Sequence, residues 1–201
     1  MSLKLLTLII SALAIVEITM AGDPDILTDY VVPQGVSYVD GNFFTYTGFC
    51  AILAGQPTAF KVTKASMVEF PALNGQSVSY AALQFPGGSV NPPHTHPRSA
   101  ELLLVGQGSL QVGFMDTTDK LYTQKLQEGD MFIFPKGLEH YQYNADPKQY
   151  ALAISAFGSA NAGTVSIPST LFNTSIDDNV LALAFKTNVA TIRTLKKSFT
   201  Y

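Results

Sequence analysis

Pro92-Pro93-His94-Thr95-His96-Pro97-Arg98-Ser99-Ala100-Glu101 is the stretch that decides how this chain reads. Two imidazoles stand two residues apart, and a carboxylate follows five residues after the second. The chain has only three histidines, and the third, His140, comes after the turn Pro135-Lys136-Gly137. The first group is framed by Gly88 and Gly108, the second by Gly129 and Asn144. Three imidazoles and a carboxylate between turn-forming glycines make a ligand set for a divalent transition metal. A single His-x-His more often holds a structural hydrogen bond. A chain that places every histidine in this pattern points instead to coordination by His94, His96, Glu101 and His140.

Local patterning brings these residues together. Side chains two apart on an extended strand share a face, so His94 and His96 can meet one ion. Pro97 bends the chain, and Glu101 opens the apolar run Leu102 to Val105. Gly106-Gln107-Gly108 is a turn signal, with a returning strand over Ser109 to Phe114. Met131 to Phe134 reads as a strand that ends at Pro135, and His140 to Tyr143 as the next. This reading expects two hairpins that deliver four ligands to one cavity. On the residues alone, tetrahedral zinc and five- or six-coordinate manganese or iron all remain open.

Composition agrees with an all-β domain. Of 201 residues, 47% are hydrophobic and 13% charged, and the chain is rich in the β-branched, aromatic and turn-forming residues that suit sheets. This length suits one domain with a sizeable core. The net charge of −3, with no basic cluster, gives nucleic-acid binding no electrostatic basis. Repeats, a glycine-rich phosphate loop and a Ser-His-Asp set are all absent.

The two histidine motifs resemble the signature of the cupin family. Pro92 to Arg98, Gly129-Asp130-Met131-Phe132, Pro135-Lys136-Gly137 and Ala153-Ile154-Ser155-Ala156-Phe157 resemble a plant germin-like protein, as does the opening Asp23-Pro24-Asp25. The resemblance covers nearly the whole chain after the leader. It implies a single jelly-roll β-barrel with a C-terminal α-helical arm, Mn2+ held by His94, His96, Glu101 and His140, and a homohexamer built as a trimer of dimers. Two departures bear on function. Oxalate-oxidising germins hold substrate with two asparagines near the metal; one matches Asn91, but Ala81 stands at the other. Many germins close an N-terminal disulfide, whereas this chain has Val31 at one position and a second position near Phe44.

Outside the expected barrel core, about 55–158, the chain changes character. Residues 1–21 read as a secretory signal peptide: Lys4, the apolar stretch Leu5 to Val16, and Thr19-Met20-Ala21 before a cleavage at Gly22. The apolar run is too short for a membrane span. Residues 22–201 then form the cupin domain, secreted to the extracellular space and, by the resemblance, the apoplast. Asn173-Thr174-Ser175 is an N-glycosylation sequon, and secretion makes Asn173 an expected glycan site. Cys50 has no partner cysteine and no free histidine beside it, so it reads as a small buried apolar residue. Ser159 to Thr170 reads as a loop. A helical arm over about 170–198 follows, with Asp177-Asp178 starting one helix over Val180 to Phe185 and Asn188 capping another. Its apolar face can cover the chain's own barrel, while the resemblance favours a neighbouring subunit.

The resemblance implies three candidate functions. An open manganese site can dismutate superoxide, with Arg98 and Lys136 near the ligands as steering charges or, more simply, as solvated surface. A non-enzymatic cell-wall, auxin-binding or receptor-type protein would hold a small anionic ligand without turnover. Oxalate oxidase is disfavoured by Ala81.

Overall fold

The computed structural model describes residues 22–199; the expected leader, 1–21, lies outside them. Ten strands are β1 (Lys61–Ala65), β2 (Ser79–Phe85), β3 (Val90–Thr95), β4 (Glu101–Gln107), β5 (Ser109–Met115), β6 (Leu121–Gln127), β7 (Met131–Phe134), β8 (His140–Tyr143), β9 (Ala151–Phe157) and β10 (Val165–Ser166). They pair antiparallel in two five-stranded sheets, β1-β2-β9-β4-β7 and β10-β3-β8-β5-β6.

Period-two patterning sets which residues face inward. Along β9, Ala151, Ala153, Ser155 and Phe157 are buried while the intervening residues are half-buried. Along β4, Glu101, Leu103 and Val105 point in, and Leu102 and Leu104 are exposed. Phe85, Leu103, Val105, Leu110, Val112 and Phe134 fill the space between the sheets. Truncating one such residue, Leu103→Ala for instance, would cost about 2–5 kcal/mol.

The strands stand where the periodicity predicts, but the connections differ. β4 and β5 belong to different sheets, and so do β7 and β8. The turns at Gly106–Gly108 and Pro135–Gly137 therefore cross between sheets and close no hairpin. Gly108 has φ +77°, and a Cβ there would lie 2.5 Å from the Tyr150 carbonyl oxygen, so this crossing requires glycine. His94, His96, Glu101 and His140 converge because the sheets face each other.

Ser159 to Thr170 is more ordered than its composition predicts. It contains β10, which pairs with β3 across Val165↔Thr95, and the start of helix α1 (Ile167–Phe172) with Pro168 in the first turn. Helices α2 (Asp178–Ala184) and α3 (Val189–Lys197) follow, capped by Asp177 and Asn188 as the residue types predict. Leu181, Ala182 and Ile192 are buried against Leu171, Phe172, Ile176 and Val189. The arm thus builds a small core of its own from three helices, and Val180, Leu183 and Phe185 stay exposed. Among the described residues no helix is long and apolar enough to cross a membrane.

The N-terminal segment lies on the surface. Cys50 is exposed, contrary to the buried position expected from its residue type, because it sits in a 3-10 segment, Gly48–Ala54, outside the barrel. Phe44, near the position of the disulfide that the resemblance would have implied, packs edge-to-face against Tyr30 and Phe43 at 5.1 and 5.0 Å.

Candidate metal centre

His94, His96, Glu101 and His140 are all buried, and each offers a ligand atom within 4.8 Å of the others. They come from both sheets. His94 near the end of β3 stands across from His140 at the start of β8, and His96 follows β3 in the turn that Pro97 begins. Glu101 opens β4 on the facing sheet.

Each imidazole is oriented by a backbone carbonyl. His94 Nδ1 donates to Pro92 O at 2.8 Å, His96 Nδ1 to Gly163 O at 2.5 Å, and His140 Nδ1 to Leu138 O at 2.9 Å. A carbonyl can only accept, so Nδ1 carries the proton in all three rings and Nε2 presents a lone pair. Glu101 Oε2 lies 2.9 Å from His96 Nε2 and 3.0 Å from His140 Nε2. Acceptor lone pairs turned on a carboxylate oxygen repel unless a cation lies among them. The donor set therefore fits a divalent metal, with the tautomers fixed by the outer hydrogen bonds that such sites use.

The electrostatics agree. Burial, and then the neighbouring His140, push His94 down to about 4, so its imidazole stays neutral, the form that ligates. Burial alone would raise the Glu101 carboxyl, yet when protons stand on Nε2 of His140 and His96 in place of an ion, their hydrogen bonds and charge hold it well below the usual carboxylate range.

A cavity of about 380 Å³ opens onto His96 and Glu101, with Ala81, Leu83 and Phe157 on its wall and Lys64 and Glu69 among its lining residues. Ala81 stands across from Lys64 in the β1–β2 ladder and across from Ser155 in the β2–β9 ladder.

A profile of the cupin family matches residues 54–193. Germin-like protein 9-3 of Oryza sativa subsp. japonica is 58% identical over 207 residues, covering 99% of this chain and 96% of that protein. The chain is a germin-like member of the cupin family. Nectarin-1 of Nicotiana plumbaginifolia is 36% identical, covering 98% of this chain and 92% of its own length. A solved oxalate oxidase superposes with a TM-score of 0.78 at 30% identity, covering 89% of this chain and 98% of its own. The jelly-roll barrel with a helical arm is thus the fold of this family.

Other residues singled out in the sequence fall in varied places. Asn91 stands opposite Gln142 across β3 and β8; its Nδ2 donates to Gln142 Oε1 at 2.7 Å and lies 3.5 Å from His94 Nε2. Arg98 is tied to the Asn161 carbonyl and side chain, and Lys136 is exposed. Asn173 is exposed just after α1. Sequence reasoning missed Gln142 and Ser155, which both donate to Glu101 Oε1, at 3.1 and 2.6 Å. The available signal was a polar residue at an inward position of an otherwise apolar strand, as Ser155 is in Ala151–Phe157.

Proposed function

We propose that this chain is a secreted, glycosylated manganese protein of the apoplast that dismutates superoxide and serves in defence. His94, His96, Glu101 and His140 hold the ion, in a homohexamer assembled as a trimer of dimers. The observation that carries the metal assignment is the convergence of His96 and His140 Nε2 on Glu101 Oε2, with His94 within 4.8 Å and each Nδ1 proton committed to a carbonyl. Three neutral imidazoles and one carboxylate leave a divalent ion with net positive charge, which attracts a small anion. Manganese bound there would supply one-electron chemistry between two oxidation states, so that two superoxide ions and two protons give O2 and H2O2. The chain's part is to fix the ligands and leave a cavity beside them, in whose lining Lys64 and Glu69 offset each other in charge, so that the ion itself is the attracting charge.

A second reading rests on the cavity itself. About 380 Å³ beside Ala81, Leu83 and Phe157 is far more room than a diatomic anion needs. It suits an organic carboxylate held without turnover, as in an auxin-binding, receptor-type or cell-wall protein. Oxalate oxidation is the weaker reading, because Ala81 offers no hydrogen bond to a second carboxylate. One preparation tests all three: metal analysis of the protein from a secreting host, then superoxide and oxalate assays. Manganese with superoxide turnover supports the first reading. Manganese with neither activity supports the second, and H2O2 from oxalate overturns both.

A further inference from the structure

The two oxygens of Glu101 keep different company. Oε2 faces Nε2 of His96 and His140, as described. Oε1 is turned away and accepts from Ser155 Oγ at 2.6 Å and from Gln142 Nε2 at 3.1 Å. Both donors are fully buried, at 0% exposure. Ser155 reaches Oε1 from β9, in Glu101's own sheet, and Gln142 from β8 in the facing sheet. Gln142 has one available orientation, because its carbonyl already accepts from Asn91 and its NH2 must turn toward Glu101. Oε1 is therefore gripped from both sheets.

We propose that Ser155 is a positioning residue for the metal centre: with Gln142 it withholds Glu101 Oε1 from the ion, so that the carboxylate ligates through Oε2 alone. The proposal rests on the metal reading above. A carboxylate whose second oxygen is free can rotate and chelate through both oxygens, whereas one whose second oxygen holds two buried hydrogen bonds gives those up to do so. The hydroxyl bond is the shorter of the two, as expected for an O–H donor to a charged oxygen. It also draws negative charge toward Oε1 and away from the ion, which favours the divalent over the trivalent state. An alanine would satisfy packing at this position as Ala151 and Ala153 do, so the hydroxyl answers to Glu101 and not to the core.

The test compares full-length secreted wild type with Ser155→Ala and Ser155→Thr, each loaded with cobalt(II) as an optical probe and, separately, with manganese(II). Ser155→Ala should stay folded without metal, at a melting temperature lowered by the lost hydrogen bond to a buried carboxylate, and should lose visible cobalt band intensity as the second oxygen joins the ion and the coordination number rises. Its manganese midpoint potential should shift to lower values. Ser155→Thr, which keeps the hydroxyl, should restore both. If Ser155→Ala does not fold, Ser155→Cys, a buried thiol with a weaker donor, should move spectrum and potential in the same direction. Spectra and potentials identical in wild type and the folded variant overturn the proposal while leaving the metal reading intact. Cobalt changes in Ser155→Ala, together with a wild type that carries no manganese as isolated, support the positioning role and sink the manganese assignment. A wild type that takes up no cobalt overturns both.

Discussion

His94 and His140 are partners across β3 and β8, with ring centroids 4.2 Å apart. Burial first, and then the facing His140, push His94 down to about 4 from its ordinary 6.5. In the metal-free protein this gives a pH dependence with a defined sign. Between pH 6.5 and 4 the unfolded chain binds a proton at residue 94 that the folded chain refuses. Stability is therefore full above pH 6.5 and is lost as the pH falls toward 4, by roughly 3 kcal/mol. Glu101 titrates lower still in the folded state, so its contribution is lost only below the ordinary carboxylate range. Urea melts of metal-free protein at pH 7.5 and 4.5 measure the difference, which His94→Ala should flatten. Equal stability at both values would contradict the buried neutral imidazole.

Metal content follows from the same geometry. The mature protein should carry about one manganese per chain, as the ligand count implies. His140→Ala removes a ligand and a cross-sheet contact to Glu101, and should release most of the ion while the barrel still folds. Elemental analysis and circular dichroism check this. Stoichiometric zinc in native material, or full manganese in the variant, would refute the assignment.

The clustering of His94, His96, Glu101 and His140 was legible because rare residue types recur at fixed spacing, with Pro97, Gly108 and Pro135 marking turns beside them. What lay beyond reach was long-range. That β4 and β5 part into different sheets depends on pairing with β9 and β8, which local alternation does not encode. β10 and α1 were hidden because Val165 and Ile167 sit among small polar residues and gain order only by pairing with β3 and packing under α3. Ser155 and Gln142 look like ordinary strand residues until the register sets them beside Glu101. Cys50 was misjudged because burial was inferred from residue type in a segment that lies outside the barrel.

Ala81 offers a gain-of-function test. It lines the cavity beside His96 and Glu101, and it faces Lys64 across one ladder and Ser155 across the other. Wild type should release little or no H2O2 from oxalate. Ala81→Asn places an amide donor in the cavity wall next to an ammonium group, and should confer measurable oxalate binding. The added hydrogen bond to a carboxylate contributes on the order of 1.5–3 kcal/mol, a tenfold or greater gain in affinity. Calorimetry on the manganese-loaded variant measures it. Strong oxalate oxidation by wild type would show that this position does not govern the substrate.

The helical arm separates folding from assembly. Ile192 is fully buried with Leu181 inside the arm, whereas Leu183 and Val180 are 80% and 57% exposed on its outer side. Helices of this length are marginal without packing, so the inner cluster holds the arm together. The outer residues form an apolar face that a neighbouring subunit in the proposed hexamer would cover. Ile192→Asp buries an unpaired charge and should unfold the arm, lowering thermal stability and assembly together. Leu183→Asp should leave the arm helical and the isolated subunit as stable as before, because that side chain has little to lose within its own chain. It should nevertheless drive the hexamer toward smaller species. Sedimentation velocity with far-UV circular dichroism distinguishes the two. A Leu183→Asp protein that still sediments as a hexamer would show that this face lies outside the interface, and a monomeric wild type would remove the hexamer altogether.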